Sequence, residues 1–223
     1  MKGFGLACEG ITDQITIENI LFGIFDDIDE EDISYIQPIH DATDEKGQGG
    51  WTRLLEYLGS TRFQQDLAAF HYLIIQVDTD VASEIGFDVR LVDDENKPLT
   101  TELVVEKVIE RLAQQIDKNV ELYEQYKHRI IFSISVSSLE CWLYNFYVKD
   151  NKKFNSTHNC FDKLLKELAK DKRQPALEKN KDVYDGLSAP FMKRKNIDQL
   201  IDRDTSFAIF IETLRSKEFP VDS

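Results

Sequence analysis

Cysteine is scarce in this sequence, which has only Cys8, Cys141 and Cys160 among its 223 residues. The three lack the paired CxxC spacing of a zinc site, so a structural zinc site is not indicated. So few cysteines also do not indicate a disulfide framework in a chain of this length. Because free cysteine is usually buried, we expect all three to be buried thiols.

Long hydrophobic runs are also missing. The longest apolar stretches are far shorter than the roughly 20 residues that a membrane-spanning helix needs. Met1 and Lys2 are followed by a short strand-like run rather than by a signal peptide. The sequence therefore predicts no membrane contact and, by default, a cytoplasmic location.

Basic charge is in the minority, with 27 Lys and Arg against 41 Asp and Glu and a formal net charge of -14. This balance argues against a protein that coats nucleic acid by bulk electrostatics. It does not exclude an enzyme that meets phosphates through bound divalent cations, because clustered carboxylates are then part of the site.

Strand-like and helix-like segments alternate through the first 147 residues. Strands are predicted at 4–8, 33–39, 72–78 and 129–136. Helices are predicted after the first strand, with inward positions from Ile15 to Ile24 and Thr12 as a possible cap, at 50–70 and at about 101–122. Such alternation favours an α/β fold with a mainly parallel sheet covered by helices on both faces. The segment 87–100 is read as a small hairpin that turns at residues 94–96.

The pattern changes after residue 150. A polar connector is followed by helical candidates near 160–170, 190–201 and 204–217. We therefore divide the chain into an α/β domain, residues 1–150, and a helical C-terminal extension, residues 151–223, which we expect to pack on the same domain.

Acidic side chains follow three of the predicted strands. Glu9 comes after the first strand, Asp78 and Asp80 after the third, and Glu140 just after the fourth. The carboxyl ends of parallel strands share one edge of the sheet, so these acids are expected to converge there. Oxygen-only ligands indicate Mg²⁺ or Mn²⁺ rather than zinc. The alternatives are that strand ends are simply polar, and that Glu140 caps the helix that follows it.

Two of these motifs carry a resemblance to a known family. The sequence CEGITD before a helix, and VDTD at the end of a hydrophobic strand, resemble the Toprim motif pair of a Glu after the first strand and a DxD after a later one. GQGGW, SSLECWL and TSFAIFIETL resemble stretches of uncharacterised Toprim-like proteins. The family includes topoisomerases, primases, small ribonucleases and the nuclease parts of OLD-like (overcoming lysogenization defect) phage-defence systems. Without topoisomerase or primase partner domains, the chain resembles the small stand-alone and OLD-like branch most.

The resemblance implies a role for each acid. Glu9 would be catalytic and would also bind metal, with Asp78, Asp80 and Glu140 as further metal ligands. Asp13 matches an additional acid of the OLD-like branch. The basic cluster that contains Lys193 and Lys195 lies where OLD-like enzymes can place a catalytic lysine, although it could equally be a solvated charged face.

The sequence thus predicts a nuclease that uses Mg²⁺ or Mn²⁺ to hydrolyse phosphodiesters of DNA or RNA. The resemblance further implies an effector of anti-phage defence that acts with an ATPase partner, and homo-oligomers are possible. The alternative is a catalytically silent Toprim-like module that serves as a regulatory subunit. A basic side chain that plugs the acid cluster would favour that alternative.

Overall fold

The computed structural model describes residues 2–39, 49–171 and 177–218. These residues contain a single four-stranded sheet in which all strands are parallel. The strands are β1 Lys2–Ala7, β2 Ile33–Gln37, β3 Phe70–Asp78 and β4 Ile130–Ser135. The predicted α/β class with a parallel sheet covered by helices is confirmed.

Helices make up most of the remaining described chain. They are α1 Ile11–Ile24, α2 Trp51–Leu58, α3 Thr61–Ala69, α4 Thr101–Ile116, α5 Tyr123–Tyr126, α6 Leu139–Tyr147, α7 Cys160–Leu168, α8 Lys181–Ser188, α9 Arg194–Ile201 and α10 Thr205–Arg215. None of the helices in the described ranges is long and apolar enough to cross a membrane.

The strand order is β2-β1-β3-β4, so the chain first places β2 on one side of β1 and later returns to the other side with β3. The direction of strand addition therefore reverses between β1 and β3. Open parallel sheets bind ligands outside the carboxyl ends of the strands at such a reversal. The edge where β1 and β3 end is thus the place where this fold favours a site.

Hydrophobic cores cover both faces of the sheet. Ile74 of β3 belongs to one core, whereas its neighbours Leu73 and Ile75 belong to the other. Alternate side chains of a strand point to opposite faces, so the two cores lie on opposite sides of the sheet. The first core contains α1, α6 and the C-terminal helices, and the second contains α2, α3 and α4.

The C-terminal helices share their core with the first strand and the first helix. Tyr184 and Leu187 of α8 and Phe207 and Phe210 of α10 are fully buried in the same cluster as β1 and α1. Asn19 of α1 also donates a hydrogen bond of 2.8 Å to the Ser188 hydroxyl of α8. The division of the chain at residue 150 stays a prediction, but the helices beyond it cover α1.

Several predicted elements differ in detail. The single helix predicted at 50–70 is two helices, because Ser60 caps α3 by accepting a hydrogen bond from the Phe63 amide at 3.2 Å. The hairpin at 87–100 is reduced to one antiparallel bridge between Val92 and Pro98. Among the C-terminal helices, α8 was not predicted.

The prediction for cysteine is partly wrong. Cys8 is a buried free thiol, as expected, but Cys141 of α6 and Cys160 of α7 form a disulfide. The two lie 19 residues apart in the chain. Their pairing depends on how the chain folds back from α6 to α7, which the spacing of cysteines in a sequence does not reveal.

A thiol titration tests this pairing. For the chain unfolded in denaturant without reductant, we expect one reactive thiol, that of Cys8, because the other two sulfurs are bonded. Reduction before the titration should release all three. Three thiols without reductant would show that Cys141 and Cys160 are unpaired in the purified protein, the state that reducing compartments favour.

Candidate functional site

Glu9 and Asp78 meet at the edge where the sheet reverses. Glu9 follows β1, and Asp78 is the last residue of the adjacent strand β3. The Asp78 amide donates a hydrogen bond of 3.1 Å to Oε1 of Glu9, while the Glu9 amide donates one of 3.3 Å to Oε1 of Gln76. The Glu9 side chain therefore reaches from β1 to the end of β3.

Asp78 is also tied to the beginning of α6. Its Oδ1 accepts hydrogen bonds from the Leu139 amide at 3.1 Å and from the Gln76 side-chain amide at 2.9 Å. Burial raises the pKa of Asp78 well above its usual value, and the negative charges of Asp13 and Glu9 raise it further.

Asp13 enters the same region from the first turn of α1. Its Oδ2 accepts a hydrogen bond of 2.8 Å from the Gly10 amide, which is one of the free amides at the start of this helix. Burial and the charge of Glu140 raise the pKa of Asp13 to about 7, although the bond from Gly10 opposes this. Burial and the charge of Asp13 likewise raise the pKa of Glu9 to about 8.

Glu140 and Asp80 complete the set of acids that the sequence brings to this edge. Asp80 lies in a short 3₁₀ turn after β3, is exposed, and donates its amide to the Ser137 carbonyl at 2.9 Å. Glu140 lies in the first turn of α6 and is only 4% exposed. Burial raises the pKa of Glu140, but hydrogen bonds from Ser138 and Tyr184 outweigh that effect, and the pKa is lowered.

We call Glu9, Asp13, Asp78, Asp80 and Glu140 the acid cluster. Two helices, α1 and α6, begin beside it, and the partial positive charge of a helix N-terminus favours negative groups. Burial and, after it, the repulsion between the acids still raise the pKa values of Glu9, Asp13 and Asp78.

Lys179 is a cation at this site that was not predicted from the sequence. Its ammonium lies 3.3 Å from Oε1 of Glu140 and 5.6 Å from the centre of the Phe161 ring. The Tyr184 hydroxyl donates to the same carboxylate oxygen at 2.6 Å. Asn180 caps α8 through a 3.0 Å bond from the Val183 amide, which places Lys179 just before the helix and Tyr184 one turn inside it.

Lys179 also acts on the rest of the acid cluster. Its positive charge opposes the raised pKa values of Glu9, Asp13 and Asp80, and the carboxylates of Glu140 and Asp78 in turn raise its own pKa against the effect of burial. No motif surrounds this lysine in the sequence, and only the position of α8 brings it to the acids.

The structure does not bring Lys193 and Lys195 to the acid cluster. Both are exposed at the start of α9. Between them, Arg194 donates to the Ile24 carbonyl at 2.8 Å and lies 3.6 Å from Asp26. These contacts are at the carboxyl end of α1, whereas the acid cluster is at the other end. A helix of 14 residues is about 20 Å long, and that length separates the two positions.

The acid cluster has the chemistry of a divalent metal site but not a ready-made ligand geometry. One oxygen each of Glu9, Asp13 and Asp78 accepts no hydrogen bond from the described residues. Oxygen ligands and crowded negative charge suit Mg²⁺ or Mn²⁺. Within the described ranges, however, no three His, Cys, Asp or Glu side chains are grouped closely enough to hold a metal ion as they stand.

A cavity of about 390 Å³ opens beside Asp80. Leu91, Leu99 and Val104 contribute apolar walls, and Thr157 and His158 contribute polar groups. A few polar groups in an otherwise apolar cavity are typical of ligand sites. The cavity beside Asp80 therefore has the lining of a ligand site.

The glycines before α2 pack directly against the site. The Gly50 amide donates to the Glu9 carbonyl at 2.6 Å. A Cβ atom at Gly49 would lie 2.2 Å from the same carbonyl oxygen, which is closer than any real contact allows. These two glycines are described parts of the GQGGW motif, whose Gly47 and Gln48 lie outside the described residues.

Comparisons of the chain with protein-family models, with curated proteins and with solved structures find no match. The resemblance to Toprim proteins stays a prediction that depends on the motif residues themselves.

Gly49→Ala tests the close approach to Glu9. We expect a loss of roughly 1–3 kcal/mol in the free energy of unfolding, because the added methyl group must displace backbone atoms. The control is Gly186→Ala in the exposed part of α8, where a Cβ meets nothing within 4 Å. That variant should gain about 0.5–1 kcal/mol from helix propensity. Denaturant unfolding measures both, and equal stability of the two variants would contradict the contact.

The raised pKa of Glu9 predicts a pH dependence in the absence of metal. Folding favours the protonated acid, so this group contributes stability below its ordinary pKa of 4.5, and that contribution is lost as pH rises through about 8. Glu9→Gln removes the effect because glutamine does not ionise. In EDTA, the melting temperature of Glu9→Gln minus that of the wild type should increase between pH 5 and pH 9. A constant difference would mean that Glu9 titrates normally.

Proposed function

We propose that this protein is a Mg²⁺- or Mn²⁺-dependent phosphodiester hydrolase that cleaves DNA or RNA at the acid cluster. One observation carries the proposal: Glu9, Asp13 and Asp78 come together at the reversal of a parallel sheet with raised pKa values. One oxygen of each accepts no hydrogen bond from the described part of the chain. Buried carboxylates in this arrangement destabilise one another, and a divalent cation would relieve that repulsion.

The residues of the acid cluster have distinct roles in this proposal. Glu9, Asp78 and Asp80 would hold the metal ion, which would supply positive charge to the phosphate and acidify water. Asp13 and Glu140, which are only 7% and 4% exposed, set the local charge. Glu140 is already bonded to Tyr184 and Lys179, so its part is to position these two groups.

Lys179 takes the role that the sequence predicted for Lys193 and Lys195. Phosphoryl transfer needs positive charge near the oxygens where negative charge develops. The Lys179 side chain is 67% exposed although its ammonium contacts Glu140. It is therefore free to turn toward a phosphate that enters from solvent.

The biological setting is proposed from the sequence resemblance. It comprises a role in anti-phage defence, an ATPase partner and a position in the OLD-like branch of Toprim nucleases. A homo-oligomer belongs to the same proposal.

One observation favours the second candidate, a catalytically silent regulatory module. The ammonium of Lys179 already supplies a positive charge to the acid cluster, which has no three-residue metal group in the described residues. In this case the lysine takes the place of the metal ion. The cluster would then stabilise a binding surface rather than perform a reaction.

Substitution of Asp78 distinguishes the two functions. In Asp78→Asn we expect metal-dependent cleavage of labelled oligonucleotides to fall at least about 100-fold, since one essential electrostatic contact is removed. The melting temperature in EDTA should stay level or rise, because burial and the repulsion by neighbouring acids raise the pKa of Asp78 and make its charged form costly in the folded state. Glu106→Gln is the matched control, as Glu106 is exposed on α4 at the other face of the sheet.

Mn²⁺ binding, measured by calorimetry, completes the test. Binding by the wild type and its loss in Asp78→Asn support the nuclease. If the wild type neither binds Mn²⁺ nor cleaves, and Lys179→Gln restores Mn²⁺ binding, the silent module is correct and the lysine occupies the place of the metal ion.

A further inference from the structure

A groove lined by lysines lies on the same side of the sheet as α6 and α7. Its volume is about 670 Å³, and the described residues with charge that line it are Lys152, Lys153, Lys163, Lys166, Lys170 and one acid, Glu167. We call it the lysine groove. It is a local concentration of positive charge in a chain whose formal net charge is -14.

Much of this positive charge is not neutralised. Lys170 pairs with Glu167 at 2.5 Å and Lys153 with Asp150 at 3.6 Å. The Lys163 ammonium donates to the neutral Ser156 hydroxyl at 2.6 Å.

The other two lysines, Lys152 and Lys166, have no carboxylate within 4 Å among the described residues. Two paired carboxylates against five lysines leave about three positive charges on the groove. These charges are available to an anion from solvent.

The walls of the groove are held in place from several sides. Asn145 of α6 binds the backbone of Ser156 twice, donating to its carbonyl at 3.3 Å and accepting from its amide at 3.1 Å. The Asn155 amide donates to the Arg203 carbonyl at 2.7 Å. The disulfide between Cys141 and Cys160 joins α6 to α7, which carries Lys163 and Lys166. Hydrogen bonds and the disulfide thus hold the backbone that carries the lysines in place.

The lysine groove and the cavity beside Asp80 are lined by consecutive residues. Ser156 lines the groove, and the next residue, Thr157, lines the cavity. Consecutive Cα atoms are about 3.8 Å apart, so one short segment borders both spaces. The start of α6 carries Glu140 of the acid cluster, and Tyr144, one turn later, lines the groove.

We propose that the lysine groove binds the phosphate backbone of a nucleic-acid strand, and that the strand crosses Ser156 and Thr157 to reach Asp80. This inference deepens the proposed function and rests on it for the reaction at the acid cluster. Lysine is a point charge suited to phosphate oxygens, and backbone contacts of this kind position a strand without reading its sequence. The formal net charge of -14 disfavours a polyanion over most of the rest of the surface.

Binding can be measured without cleavage. Fluorescein-labelled single-stranded DNA and RNA 12-mers are titrated with the full chain in EDTA, and fluorescence anisotropy gives Kd from 50 to 200 mM salt. The test variant is Lys152→Gln with Lys166→Gln. The control variant is Lys107→Gln with Lys118→Gln, two exposed lysines on or just after α4 that make the same change in net charge.

We expect the test variant to bind at least about tenfold more weakly at 100 mM salt. Each lost phosphate contact removes about 0.7 from the slope of log K against log salt for a single strand, so the slope should fall by roughly 1.4. The control should change Kd less than about twofold. Whichever of DNA and RNA binds more tightly identifies the preferred strand.

The results of these measurements distinguish failure of the lysine-groove proposal from failure of the proposed nuclease activity. Loss of binding in the test variant alone, without any metal-dependent cleavage by the wild type, supports the groove and rejects the proposed reaction. Cleavage by the wild type with unchanged binding in the test variant rejects the groove alone. Equal weakening in both variants, or no binding of either 12-mer by the wild type, overturns the inference. Thermal melting of both variants confirms that each is folded.

Discussion

The site at the edge where β1 and β3 end depends on one constraint, the burial of several carboxylates close to one another. Each of Glu9, Asp13 and Asp78 is held by backbone or amide donors on one side and repelled by the others. Proteins seldom bury acids without a partner, because the charged form is costly away from water. An arrangement that raises three pKa values together is more typical of a functional site than of a structural network.

Most of the sheet could be predicted from the sequence, because its strands are short apolar runs separated by helical periodicity. The placement of Glu9 and Asp78 on one edge follows from the same alternation, since parallel strands end on the same side. The turn chemistry was harder to predict: Ser60 divides the helix predicted at 50–70, although its sequence looks continuous. Local caps override a periodic pattern that extends past them.

The tail of the chain shows where sequence reasoning fails. Lys193 and Lys195 are the densest basic cluster, yet they lie at the wrong end of α1 because Gly23 lets the Phe191 carbonyl pack closely there. Lys179 reaches the acids because Asn19 and Ser188 fix α8 against α1. Contacts between residues more than 150 positions apart decide which lysine is near Glu140, and no local pattern encodes them. The pairing of Cys141 with Cys160, only 19 residues apart, depends instead on how α7 packs back on α6, which the cysteine spacing does not encode.

The burial of α1 requires both the sheet and the C-terminal helices. Ten of its 14 residues are buried, including Ile17, Ile20 and Leu21, because the sheet lies under it and the C-terminal helices lie over it. A helix that is apolar on most sides needs cover on most sides. A fragment that ended after β4 and α6 would expose this surface to water and leave Glu140 without Tyr184. Such a fragment would be prone to aggregate, so the strands and the C-terminal helices need to be expressed and engineered together.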